Sequence, residues 1–180
     1  MKERAIKQET VFSGKLLHVR RDEIELENGN KSVREFCMHP GGVGILPITD
    51  DMQVLLVEQF RYPYGCDILE IPAGKLERGE NPLDCGVREL KEETGCVAEE
   101  MIFLGCIYPT PGYVDEKLYL YLARGLTKGE ASPDENEFLN LVQFPFEELL
   151  CRIMNDEIHD AKTVVAALKT ARLLKEEHHG

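Results

Sequence analysis

One helix in this chain has both of its ends written into the sequence, and that limits what can surround it. In "NPLDCGVRELKEETGC" Asn81 can accept hydrogen bonds from free N–H groups of a first turn, and Pro82 takes the first helical position, where a missing N–H costs nothing. Asp84 sits favourably in that turn, and Gly95 ends the helix. Leu83, Val87 and Leu90 recur at four and three residues, so the spacing predicts a single buried stripe.

Short β-prone runs supply the partner for that stripe. Residues 10 to 37 read as strand, turn, strand, with the Asn-Gly of "ENGN" suited to a tight hairpin. After "HPGG" come "GVGILPI" and "QVLLVEQF", separated by the turn-like "TDDM". A brief strand in "DILEIPAGKLERGE" yields to a loop at Pro72, Ala73 and Gly74. Further strands are expected over 101 to 108, 117 to 124 and 138 to 144, then helices near 146 to 153 and from about 158. Ala161, Val164, Val165, Leu168 and Ala171 are expected to line one face of the last helix. Strands alternating with a few helices predict an α/β or α+β sandwich. Its N-terminal antiparallel β subdomain covers 1–40 and its main domain 41–180.

The length of 180 residues suits one substantial core, and 43% hydrophobic with 30% charged residues is the balance of a folded chain. A net charge of -12 disfavours nonspecific contact with nucleic acid or anionic lipid, while leaving room for a local cationic pocket. The six cysteines form no CxxC pair, and several lie in apolar runs; buried free thiols in a reducing compartment are expected. "MKERAIKQET" is followed by no apolar h-region, and no run nears the length of a bilayer span, so a cytoplasmic protein without membrane contact is expected.

The helix also carries Glu89, Glu92 and Glu93, which the stripe does not explain. Two carboxylates about 6 Å apart repel by roughly 3 kcal/mol at an effective dielectric near 20. Arg88 relieves part of this as the i,i+4 partner of Glu92. One reading is a solvated acidic face without a task. The other is a site for a hard divalent cation, which turns repelling carboxylates into ligands, with all-oxygen coordination favouring Mg²⁺ or Mn²⁺ over zinc. The preceding "PAGKLERGE" favours the second, because its glycines bring backbone close to the helix start and Glu80 can pair with Arg88 to hold the loop.

With that loop included, "GKLERGENPLDCGVRELKEETGC" resembles the Nudix box. Gly74, Glu80, Arg88, Glu89, Leu90, Glu92, Glu93 and Gly95 fall at its constrained positions, and only Cys96 departs, where an aliphatic is usual. The flanking "LLVEQFRYP", "LEIPAGKLE" and "YPTPGYVDEKLYLYLA" look like the ADP-ribose pyrophosphatase branch, as does Pro111, sixteen residues after Gly95. The resemblance covers roughly residues 8 to 150. It implies a Nudix-type α/β/α sandwich with a mixed central sheet.

Carried over position by position, the resemblance makes Glu89 and Glu93 metal ligands, Glu92 a further or alternating ligand, and the carbonyl of Ala73 the ligand from the loop. Arg88 belongs to the same catalytic face. In "DENEF" it implies a base and one more ligand, Glu135 and Glu137 respectively, with the two roles open to exchange. Arg61 and Arg34 match arginines that hold the diphosphate, Glu116 matches a glutamate near the substrate, and Phe12 is a candidate stacking group.

The implied activity is Mg²⁺-dependent hydrolysis of ADP-ribose to AMP and ribose 5-phosphate by a homodimer, with Mn²⁺ as a substitute metal. Two alternatives stand beside it. One is the same chemistry on another nucleoside diphosphate sugar, such as ADP-glucose or GDP-mannose; the other is a non-catalytic Nudix-fold sensor of nucleotides, which would not need the full set of box carboxylates.

Overall fold

The computed structural model describes residues 2–129 and 138–177. The chain divides into two compact units, Met1–Gly41 with Tyr108–Lys117, and Gly42–Ile107 with Leu118–Gly180.

The first unit is a three-stranded antiparallel sheet of β1 (Arg4–Ser13), β2 (His18–Glu25) and β3 (Lys31–Met38), in the order β1-β2-β3. The Asn-Gly turn closes the second hairpin, with Leu26 N–H donating to Asn30 O at 2.8 Å. The short β-prone runs predict a first strand from residue 10, but β1 begins at Arg4. All ten residues of β1 are exposed, so no buried alternation announces them; they are held by ladder hydrogen bonds and by pairs such as Arg4 with Glu25 at 2.9 Å. The 108–117 segment joins this unit through β3: Cys37 N–H donates to Tyr113 O at 2.8 Å, and His39 N–H donates to Asp115 Oδ1 at 2.7 Å.

In the second unit, β4 (Gly42–Pro47), β5 (Gln53–Arg61), β6 (Cys66–Glu70) and β7 (Ala73–Lys75) precede α1 (Pro82–Thr94). After it come β8 (Cys96–Ile107), β9 (Leu118–Lys128), β10 (Leu139–Pro145), α2 (Phe146–Met154) and α3 (Ala161–Glu177). One sheet is mixed, ordered β7-β4-β9-β8 with β4 and β9 parallel; the other is antiparallel, ordered β10-β5-β6. Residues 73 to 75, expected as loop, form β7 because Ala73 and Gly74 pair with Gly44 and Val43.

Successive residues of β4 and β9 serve two cores, as the period of two requires. Val43, Ile45, Tyr121 and Ala123 pack with Cys85 and Leu90 of α1, while Leu46, Leu120 and Leu122 pack with Ala166 and Ala167 of α3. The mixed sheet is thus sandwiched between helices. Each fully buried leucine there contributes about 1.5–3 kcal/mol.

The helical faces differ from the expected ones. On α1, Leu90 is buried but Leu83 and Val87 are 39% and 45% exposed; the inward set is Cys85, Gly86, Leu90, Glu93 and Thr94. Gly86 explains the rotation, because a Cβ there would lie 3.2 Å from Val43 Cγ1, so the bare backbone is what lets the helix approach β4. On α3 the fully buried residues are the small Thr163, Ala166, Ala167 and Thr170; of the expected face, Val164, Val165 and Ala171 pack partly buried against the core and Leu168 is exposed. Among the described residues, no helix is long and apolar enough to cross a membrane.

Candidate active site

The ends of α1 follow from the residues at its caps. Asn81 Oδ1 accepts from Leu83 N–H at 2.8 Å, and Gly95 adopts φ 72° in the left-handed region, its N–H donating to Lys91 O at 2.9 Å. Fixed at both ends and rotated by Gly86, the helix turns Glu89 and Glu93 toward β7 and leaves Glu92 nearer to solvent. The side chains of Glu89 and Glu92 are 12% and 37% exposed, and Glu93 is 8% exposed.

Two contacts bind β7 to the acids. Ala73 N–H donates to Glu93 Oε2 at 3.2 Å, and Gly74 leaves so little room that a Cβ there would lie 1.8 Å from Glu89 Oε1. No other residue type fits at 74 with Glu89 in this position.

Arg88 ties the rest together. Its Nη1 donates to Glu89 Oε1 at 2.7 Å and to Glu92 Oε2 at 3.0 Å, and its Nε donates to Glu80 Oε1 at 3.1 Å. The hydrogen bond to Glu80 is the main reason the guanidinium is held charged above the usual arginine range, followed by burial acting against it and the Glu89 charge acting for it. In return Arg88, then the Glu77 N–H, hold the Glu80 carboxyl below its ordinary value. Glu80 N and Glu77 O close the loop at 3.1 Å. The loop-holding pair read from the sequence is therefore present. Cys85, wholly buried beside it, has its thiol pushed up to about 12 by burial and then by Glu80.

Among the described residues, no group of three or more His, Cys, Asp or Glu side chains converges as a ready coordination cluster. Carboxylate oxygens are instead engaged by Arg88 and the Ala73 N–H. The donor set still fits a hard divalent cation. Glu89 and Glu93 are two largely buried carboxylates on one helical face, and the backbone of residues 73 and 74 lies against them without an intervening side chain. Glu135 and Glu137 lie outside the described residues.

A second constellation in the same unit joins Arg61, a candidate from the sequence, to Glu70 and Lys162, which the sequence did not single out. Arg61 Nε and Nη2 donate to Glu70 Oε1 and Oε2 at 2.5 and 2.9 Å, and Lys162 Nζ also donates to Glu70 Oε2. Burial alone would raise the Glu70 carboxyl, but Arg61 and Lys162 outweigh it and hold it below its ordinary value. Arg61 is raised chiefly by its hydrogen bond to Glu70, against burial, with added attraction from Asp160 and Glu93. The field of a box carboxylate thus reaches Arg61. A cleft of about 600 Å³ opens beside the network, lined by Arg61, Tyr64, Leu69, Glu70, His159 and Asp160 among others. Glu70 and Lys162 are 92 residues apart, and no local spacing links them.

The remaining candidates belong to the first unit. Arg34 on β3 is held by Glu3, with Nη2 to Oε1 at 2.5 Å and Nε to Oε2 at 3.1 Å. Glu116 Oε1 lies 3.5 Å from His39 Nδ1. Phe12 is 56% exposed on β1, its ring close to Gly14.

Comparison with known proteins matches the NUDIX domain over residues 38–167, a span that contains α1 with its loop as well as Arg61 and Lys162. A methanol dehydrogenase activator of Bacillus methanolicus is 45% identical, covering 91% of this chain and 90% of its own. An ADP-ribose pyrophosphatase of Bacillus subtilis is 40% identical, covering 92% and 91%. The crystal structure of an ADP compounds hydrolase superposes with a TM-score of 0.88 at 27% identity, covering 98% of this chain and 96% of that one. With α1 setting Glu89 and Glu93 against Gly74, the domain match over residues 38–167 and relatives that align along nine-tenths of its length, this chain belongs to the Nudix hydrolase family.

Proposed function

We propose that the chain hydrolyses the diphosphate bond of ADP-ribose in a Mg²⁺-dependent reaction, giving AMP and ribose 5-phosphate. The observation that carries this reading is the seating of Glu89 and Glu93 against the bare backbone of residues 73 and 74, with Arg88 fixing the acids from the other side. The ADP-ribose pyrophosphatase named among its relatives points to the substrate.

Glu89, Glu93, the Ala73 carbonyl and Glu137 would hold the metal, with Glu92 as a further or alternating ligand. When bound, Mg²⁺ would neutralise charge on the phosphate oxygens and lower the pKa of water, with Mn²⁺ able to replace it. Arg88 is a positioning residue that keeps Glu89 and the Glu80 loop in place. Arg61 grips the diphosphate, where the arginine fork suits nonbridging oxygens, and Arg34 is a candidate substrate contact of the same chemistry. Glu135 takes a proton from the attacking water as its oxygen bonds to phosphorus. The bridging P–O bond breaks, and its electron pair leaves with the departing phosphate. The roles of Glu135 and Glu137 are open to exchange.

The N-terminal β subdomain over residues 1–40 would serve a homodimer. β1 is an edge strand exposed along its whole length, with Ile6, Val11 and Phe12 at 42%, 50% and 56% exposure, a poor surface to leave in water. In that dimer Phe12 stacks on the nucleobase and Glu116 lies near the substrate.

Hydrolysis of ADP-ribose, ADP-glucose, GDP-mannose and NADH side by side, with Mg²⁺ and then Mn²⁺, tests the reading. ADP-ribose should give the highest kcat/KM. A higher value on another sugar nucleotide would replace the substrate, and no metal-dependent release from any of them would point to a sensor. The relative named for activating methanol dehydrogenase supports a second reading, in which the chain also regulates a dehydrogenase. Assaying methanol dehydrogenase with and without the chain decides it.

A further inference from the structure

We propose that Lys162 is a positioning residue for Arg61, acting through Glu70, so that the first turn of α3 sets the arm that grips the substrate diphosphate. The inference rests on the diphosphate role given to Arg61 above.

Glu70 is 3% exposed, and both of its oxygens are used: Oε1 by Arg61, and Oε2 by Arg61 and Lys162 together. Lys162 is itself fixed, because its Nζ also donates to Asp160 Oδ1 at 2.9 Å. Asp160 does not drift, since its Oδ2 accepts from the Thr163 N–H at 2.9 Å and from Thr163 Oγ1 at 2.5 Å, as a residue capping a helix does. Thr163 Oγ1 in turn accepts from Ile71 N–H at 2.8 Å. Residues 160, 162 and 163 therefore clasp Glu70 by its side chain and Ile71 by its backbone, two residues ahead of Ala73.

The result for Arg61 is a guanidinium locked in one plane. Two of its nitrogens are spent on Glu70, while Nη1 has no hydrogen-bond partner among the described residues and the side chain stays 42% exposed. A fork held by one edge and open at another is pre-organised for a second anion. Charge points the same way. Arg61 and Lys162 balance Glu70 and Asp160, so the quartet is neutral before substrate arrives. Without the lysine it carries one net negative charge close to the place a diphosphate must enter, and Glu70 draws on Arg61 alone. Loss of Lys162 thus loosens the orientation and repels the ligand at once.

The test is a double-mutant cycle on the full chain with Mg²⁺ and ADP-ribose, using Lys162→Met, Arg61→Met and the pair. Alongside turnover, calorimetry gives the Kd of the non-hydrolysable α,β-methylene analogue. Lys162→Met should raise KM and this Kd at least tenfold, with the half-saturating Mg²⁺ concentration within twofold of wild type, and Lys162→Arg should recover most of the loss. In the Arg61→Met background the lysine change should add less than twofold, which a residue that merely supports the fold would not show. If Lys162→Met does not fold, Lys162→Gln takes its place in the cycle. A KM within twofold of wild type, or effects that multiply in full, would overturn the inference while leaving the role of Arg61 intact. If Arg61→Met itself leaves KM and Kd unchanged, the diphosphate assignment falls and the inference falls with it.

Discussion

Gly74 lies directly against Glu89: a Cβ built on residue 74 would sit 1.8 Å from Oε1 and 1.9 Å from the carboxyl carbon. With residue 74 fixed by the pairing of β7 to β4, it is the Glu89 carboxylate that would have to move, at the expense of its 2.7 Å hydrogen bond from Arg88 Nη1. Gly74→Ala should therefore displace the carboxylate and lower kcat/KM by about 10–100-fold, the scale seen when the surroundings of a metal ligand are disturbed. Circular dichroism should remain that of the wild type. Activity within twofold of wild type would mean that Glu89 is free to reposition without cost.

Arg88 serves three carboxylates at once, Glu80, Glu89 and Glu92. A lysine keeps the charge but offers a single ammonium where a planar fork is used, so it cannot hold the loop and the helix together. Arg88→Lys should raise the Mg²⁺ concentration needed for half-maximal activity and reduce kcat by about 10–100-fold. A metal titration that overlays the wild-type curve would show that the fork is dispensable.

Much of this arrangement was legible in the sequence because it is local. The caps at Asn81 and Gly95 sit beside the helix they terminate, and Glu80 reaches Arg88 within two turns, so spacing alone placed them. The orientation of α1 was not legible. Leu83 and Val87 carry the apolar pattern, yet Gly86 decides the approach, and a glycine adds nothing to a periodicity. Nor was the clasp on Glu70 and Ile71, because Lys162, which holds the Glu70 side chain, and Thr163, which holds the Ile71 N–H, lie 92 residues further along the chain. The first strand was hidden for another reason: an edge strand exposed on both faces buries nothing to alternate.

Cys85 sits on the same helix as the acids but is wholly buried, and its thiol is pushed up to about 12 by burial and by Glu80. At pH 8 only about one molecule in ten thousand would carry the thiolate there, and only the thiolate attacks an alkylating agent. Cys66, Cys106 and Cys151 are exposed. Iodoacetamide applied to the native protein at pH 8 should modify these three and spare Cys85 until denaturant is added, as peptide mass spectrometry reads directly. Early modification of Cys85 would show that α1 opens from β4 in solution.

Glu70 links stability to pH. Its carboxyl is held below the ordinary glutamate value of 4.5, because Arg61 and Lys162 together outweigh the burial that opposes them. A carboxyl depressed in the folded state binds its proton more readily when unfolded. Its stabilisation is therefore present in full above the unfolded value and drains away as pH falls through the lower folded one. Glu70→Gln removes that contribution and leaves Lys162 buried with only Asp160 for charge. At pH 7 the variant should be less stable by about 3 kcal/mol, the low end for removing one partner of a buried pair, since Arg61 can turn partly to water. Urea unfolding followed from pH 7 downward should show the gap between wild type and variant narrowing below about pH 4.5, as the wild type loses what the variant never had. A gap that stays constant to the acid limit would mean that Glu70 contributes packing alone, with no net attraction from its two cations.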